Sequence, residues 1–275
     1  MHLSSRTRNT FCGGEELTYA FNVPCKDNKK LEKIVGLVNK DVKLQTFWKC
    51  SNVMAIDRMG YTDHGPIHVK IVANSALKLL RILVSKGVVP SVVKDYNLSV
   101  EDAEVIIVLA SIFHDLGMAM GREGHEEHSL LLAFSFLQRY LHSIYTEEES
   151  AMILSEVLQA MLAHQPEQQV LTIEAGIVRI ADSLDLEQGR ARIPFEAGKV
   201  DIHSISALSI EKVEIFEGKE KPIIIKIKMS NSAGIFQIDE LLKAKIQNSG
   251  LEKYIHVTAE IKGEKERKII ERFEL

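Results

Sequence analysis

Apolar residues keep a helical spacing through the first two thirds of this chain and an alternating one afterwards. From Asn28, Leu31, Ile34, Val35, Val38 and Val42 share one face, with Phe47 and Trp48 further along, which fits one long helix or two short ones. The run Asp63-His64-Gly65-Pro66 breaks and restarts the chain, because Gly suits a loop and Pro the first helical turn. The next helix bears His68 near its start and Ile71, Val72, Ala76, Leu79 and Leu80 on its core face. After a turn around Val88-Val89-Pro90, Ser99 and Asp102 make a capping box for a helix containing AEVIIVLASIF. That helix is apolar on nearly every side and so belongs in the middle of a bundle; it runs into His114-Asp115-Leu116-Gly117. Thr146 and Glu149 form a second capping box, for a helix reaching about His164 before Pro166. Thr172 caps the last helix of the set, which carries Ile177, Ile180, Ala181 and Leu184 and ends near Gly189.

Beyond about residue 199 the period becomes two. Ile223, Ile225, Ile227 and Met229 share a face opposite Lys226 and Lys228, and YIHVTAEIK alternates in the same way. Leu208 to Phe216 precedes these strands, Lys268 to Phe273 follows them, and Ile238, Leu241, Leu242 and Ile246 mark a helix between the middle pair. Three regions are expected: an irregular arm over 1–28 with at most one short strand, an all-helical domain over 29–198, and a small α+β domain over 199–275. The order ββαββ suggests an antiparallel sheet with one face covered. The fold class is therefore mainly α with a smaller C-terminal α+β part.

Composition narrows the function classes. A chain of 275 residues with 45% hydrophobic content can bury a sizeable core. Its formal charge of -4 advertises neither a nucleic-acid nor a membrane-surface partner. The first residues lack a signal-peptide apolar segment and VIIVLASIF is too short to span a bilayer, so the expected place is the cytoplasm. Cys12, Cys25 and Cys50, odd in number and without a CxxC, read as reduced thiols.

Against this background four residues need a separate explanation. His68, the pair His114 and Asp115, and Asp182 each lie on or at the end of a helix whose other positions are core. A buried carboxylate needs a partner, and imidazole with carboxylate suits a divalent Mn, Fe, Co, Ni, Zn or Mg ion. The lack of thiolate argues against a closed structural zinc site, and four such ligands leave coordination positions open for water and a phosphoryl oxygen.

These residues stand in HVKIVA (68–73), IFHDLG (112–117) and RIADSLD (179–185), and the ordered H…HD…D pattern resembles the signature of the HD phosphohydrolase superfamily. The resemblance covers about Asp57 to Arg192 and implies a helical domain with His68, His114, Asp115 and Asp182 as metal ligands. It also implies roles for His128 and His164, which match places where HD proteins carry further histidines for a second metal or the substrate. Gln165 stands where such proteins have the second His of a pair, so one tight ion is favoured, with a second left open and His128 and His164 left as general acids. The superfamily's cyclic-dinucleotide branch continues HDxGK and has a GYP motif. Met118 replaces that lysine and no GYP follows, which argues against that substrate.

Around this core, His64 sits just before the helix of His68, where it could position water or a leaving group. Arg122, Arg190 and Arg192 are close in sequence to the site loops, and guanidinium grips phosphate in a bidentate way. His125 reads as a solvated helix residue; HEEH is one residue short of HExxH. Asp185 reads as a surface ion-pair partner. The function expected is hydrolysis of a phosphate ester, of a nucleotide or related metabolite, by metal-activated water with Asp115 at its centre. The alternative is a non-catalytic nucleotide-sensing module using the same metal site. A homodimer through the α+β part is also expected.

Overall fold

Asn28 and Asp41 decide between one long helix and two. Asn28 accepts the Leu31 N–H at 2.9 Å and opens α1 (Lys29–Lys40). Asp41 leaves helical geometry, accepts the Leu44 N–H at 3.0 Å and opens α2 (Val42–Asn52), which a π-helical turn prolongs over Val53–Arg58. The computed structural model describes residues 19–165, 167–187, 206–261 and 272–274. Most of the N-terminal arm, Arg190, Arg192 and the expected boundary at 198/199 lie outside the described residues, and the described end of the arm, 19–28, holds no strand.

Pro66 starts α3 (Pro66–Ser85), followed by α4 (Ser91–Tyr96), α5 (Val100–Phe113), α6 (His125–His142), α7 (Glu147–Leu162) and α8 (Ile173–Ser183). Both capping boxes form, at Ser99/Asp102 and Thr146/Glu149, and Thr172 accepts the Ala175 N–H at 3.2 Å. Helix α5 is the axis of the bundle. Every residue from Asp102 to Phe113 is buried, and the helix touches α1, α3, α4, α6, α7 and α8. Its all-round apolar character is thus matched by neighbours on all sides. Helix α8 ends at Ser183, short of the expected Gly189, because the chain leaves the helix at Leu184 and Asp185 turns inward.

The C-terminal part is a four-stranded sheet in the order β1 (Ile210–Glu217), β2 (Ile223–Met229), β3 (Ile255–Ile261), β4 (Arg272–Glu274). Ile223, Ile225, Ile227 and Met229 are buried and Lys226 is exposed, so the alternation read from β2 holds. The expectation of a wholly antiparallel sheet does not hold: β2 and β3 are parallel, while the outer pairs are antiparallel. The helical segment at 235–247, here α9, is a crossover that brings the chain back to the same end of the sheet, so the next strand runs alongside β2.

This sheet and helix pack directly on the bundle. Strands β1 and β2 touch α3, and α9 touches α8. At Gly176 of α8 a Cβ would lie 2.4 Å from the Ser249 carbonyl oxygen, so glycine permits the close approach of the segment that follows α9. No helix among the described residues is long and apolar enough to cross a membrane.

Candidate metal centre

Three helix ends converge beside the N-terminus of α6. The loop before α3 is fixed by Asp63, whose carboxylate accepts the Gly65 N–H at 2.9 Å and the Asn52 Nδ2–H at 2.9 Å. His68 follows in the first turn of α3, fully buried. His114 and Asp115 come immediately after α5, where a bundle-centre helix must end and its terminal polar groups need partners. Asp182 is in the last turn of α8.

The donor atoms of these four residues all lie within 4.8 Å of one another. His68 Nε2 is 3.2 Å from His114 Nε2, 3.2 Å from Asp115 Oδ2 and 3.4 Å from Asp182 Oδ1. His114 Nε2 is 3.2 Å from Asp115 Oδ2 and 3.7 Å from Asp182 Oδ1. Ligand atoms about 2.1 Å from one ion are about 3.0 Å apart at right angles and about 3.4 Å apart at the tetrahedral angle. The five separations that involve an imidazole nitrogen are ones a coordination shell allows.

The outer nitrogens support the same arrangement. His114 Nδ1 bonds the Ser111 carbonyl at 2.9 Å and His68 Nδ1 bonds Asp185 Oδ2 at 2.7 Å. Both partners only accept, so each Nδ1 is the protonated nitrogen and each Nε2 turns its lone pair on the common point. Burial opposes charge on His114, but Asp115 and Asp182 outweigh it and raise the imidazole pKa. Burial likewise opposes ionisation of Asp115 and Asp182. Attraction to His114, and to Lys245 in the case of Asp182, wins and holds both carboxyls well below the usual carboxylate range. A divalent cation competes with the proton that these carboxylates draw to His114 Nε2; with that proton gone, two buried carboxylates and two imidazole nitrogens could hold such an ion.

Asp115 has a second oxygen, and it serves a second group. His125 Nε2 lies 3.2 Å and His164 Nε2 3.6 Å from Asp115 Oδ1, and the three donors form another metal-capable cluster. His125 Nδ1 bonds the Arg122 carbonyl at 2.9 Å, and His164 Nδ1 bonds the Met161 carbonyl. Arg122 also reaches His125 Nε2 at 3.2 Å. Burial works against charge on His125, but hydrogen bonds to Asp115 and Glu126 push it up to about 9. Burial and the neighbouring His114 push His164 down to about 4.

A cavity of about 350 Å³ opens on both groups, lined among others by Tyr61, His64, Arg122, Gln165 and Lys245. The model of the HD domain matches residues 67–187, a span that begins just before His68 and ends just after Asp185. Over 226 residues the chain is 48% identical to the uncharacterized protein MJ1020 of Methanocaldococcus jannaschii, covering 82% of this chain and 87% of that protein. The chain belongs to the HD-domain family. Proteins of this family are in general metal-dependent phosphohydrolases that bind divalent metals, and the HD domain together with the quartet here fits a metal-dependent hydrolase.

Within this HD domain the expected residues are distributed unevenly. His68, His114, Asp115 and Asp182 come together, with His164 beside them. His64 lines the cavity, its ring 5.8 Å from that of His68, and Nδ1 bonds the Thr62 carbonyl at 2.8 Å. Arg122 lines it too, whereas Arg190 and Arg192 fall outside the described residues. His128 is not among the cavity-lining residues, and its Nδ1 is buried without a hydrogen-bond partner.

The histidine of HEEH that faces Asp115 is His125, expected in solvent and found buried. The physical reason is Gly117. A Cβ there would sit 2.0 Å from the His125 carbonyl oxygen, and the Gly117 N–H donates to Ser129 Oγ at 2.8 Å, so the loop after the HD pair lies directly on the first turn of α6. Asp185 is also corrected from the surface to the interior, where it orients His68. A third residue was not singled out at all: Lys245 of α9 forms an ion pair with Asp182 Oδ2. No helical or strand period in the sequence marks it as different from Lys243 of the same helix.

Proposed function

We propose that the chain is a metal-dependent phosphohydrolase acting on an ester of a small phosphorylated metabolite, with nucleotides the leading class. The observation that carries this reading is the convergence of the quartet's donor atoms within 4.8 Å of one another, with both imidazoles hydrogen-bonded through Nδ1 to acceptors. A bound divalent ion supplies Lewis acidity at a phosphoryl oxygen and lowers the pKa of water. The chain's own residues do the rest. Asp185 keeps the His68 proton on Nδ1, and Asp115 spans both donor groups. His164 and His125 stand within reach of protons exchanged in the cavity, and Arg122 offers guanidinium N–H groups to phosphate. Tyr61 and Leu241, each about two fifths exposed at 41%, give the cavity an apolar rim suited to a base or similar flat group.

One tight ion in the quartet is the favoured occupancy. The second group is weaker because Arg122 places a cation on His125 Nε2, and because Gln165 supplies a neutral amide next to His164. The test is metal analysis of the purified protein, followed by a panel of phosphate mono- and diesters with added Mn, Mg, Co or Ni. Wild-type turnover that disappears with Asp115→Ala supports the reading. Turnover equal in the two proteins identifies a contaminant and rejects it.

A further inference from the structure

We infer that Lys245, supplied by the C-terminal α+β part, grips a phosphoryl oxygen of the substrate beside the metal quartet; this deepens the phosphohydrolase reading and rests on it. Charge balance motivates the search for such a residue. A divalent ion is balanced by the two carboxylates of the quartet, so the charge of a phosphate monoester falls to other cations. Among the described residues that line the cavity, the permanent cations are Arg122 and Lys245. Arg122 is exposed and already engaged with His125. Lys245 is mostly buried, its side chain 17% exposed, and it opens on the cavity from one side of Asp182.

The position of its ammonium is specific. Asp182 turns Oδ1 toward His68 and His114 and Oδ2 toward Lys245, which puts the ammonium next to the donor set and outside it. Of three N–H bonds, one goes to Asp182, which leaves donors for an anion held at the same place. The placement is also fixed at a distance. Arg179 of α8, fully buried, donates to the Asn248 carbonyl at 2.7 Å just past α9, and to the Ala163 and Gln165 carbonyls at 2.6 and 2.7 Å around His164. A single guanidinium thereby sets α9, the His164 segment and the Asp182 helix against one another. The cavity is a composite of the HD domain and the α+β part, and an isolated HD domain would lack its buried cation.

The test uses the full chain loaded with manganese and titrates inorganic phosphate calorimetrically into wild type, Lys245→Met and Lys245→Arg, with metal content measured on each. Methionine keeps the bulk of the stem. Expected are a metal content equal to wild type in all three, phosphate binding weakened roughly 10- to 100-fold in Lys245→Met, and partial recovery in Lys245→Arg. On any ester that wild type turns over, KM rises in Lys245→Met. Lys245→Gln is read in the same way should methionine prevent folding. Phosphate binding within twofold of wild type overturns the inference, as does loss of the ion together with the phosphate, which would make Lys245 a support of the metal site alone. Failure of wild type to bind phosphate overturns it too. Lys245-dependent phosphate binding without turnover of any ester leaves the inference standing and rejects the hydrolase reading; turnover with phosphate affinity indifferent to Lys245 does the reverse.

Discussion

Asp115 joins two groups built from the same residue types, and the difference between them lies in what faces the imidazole Nε2 atoms. In the first, His68 is backed by the Asp185 carboxylate and His114 by the Ser111 carbonyl, and both Nε2 atoms point at carboxylate oxygens around a shared centre. In the second, His125 is shared between Asp115, Glu126 and Arg122, and its pKa rises to about 9 while that of His164 drops to about 4. Two carboxylates around a pair of Nε2 atoms favour a cation, whereas the single Asp115 oxygen of the second group is shared with His125, whose Nε2 already meets the Arg122 guanidinium. On the proposed reading this divides the histidines: His68 and His114 would hold an ion, and His125 and His164 would handle protons or substrate.

The largest effect is expected where the two groups meet. Asp115→Ala removes an oxygen from each, and should abolish tight metal binding and lower kcat on the order of 10³-fold or more. Next, His125→Ala and His164→Ala should each lower kcat by about 10² to 10³-fold while the tight ion stays bound; equal loss of metal in these variants would erase the distinction between the groups. Asp185→Asn should weaken the ion by about 10- to 100-fold without emptying the site at saturating metal, a shift read by competition with a chelating dye.

The smallest effect is on stability against pH in the metal-stripped protein. His125, raised to about 9, contributes stability below the ordinary histidine value of 6.5 that is lost as the pH rises through about 9. His164, lowered to about 4, binds its proton more weakly in the folded chain than in the unfolded one. Stability from this group therefore falls as the pH drops from 6.5 toward about 4. Thermal melts should decline on both sides of near-neutral pH, and NMR titration should separate the two imidazoles by several units. Coincident midpoints near 6.5 would show that their environments do not differ.

The quartet was legible in the sequence for a physical reason. On α3 His68 is the one polar residue among the buried positions, His114 and Asp115 directly follow the bundle-centre helix, and with Asp182 they complete the ordered H…HD…D pattern. His125 and Asp185 sit in short non-periodic stretches or at a helix edge, where burial depends on what another element lays over them. The cover on His125 comes from the approach that Gly117 permits, and the inward turn of Asp185 from the end of α8 at Ser183. Lys245 was hidden for a stronger reason: its meaning comes from the docking of α9 on α8, a contact 63 residues apart in sequence from Asp182. The parallel pairing of β2 with β3 was missed likewise, since strand period fixes faces and leaves direction to the connection.

The central claim, that the ion belongs to the quartet, is tested most directly by metal content in Asp182→Ala beside His125→Ala, both saturated with manganese and then desalted. The account expects wild type and His125→Ala to retain one tightly bound ion per chain and Asp182→Ala to retain none. An ion kept by Asp182→Ala and lost by His125→Ala would place the metal in the other group and contradict the account.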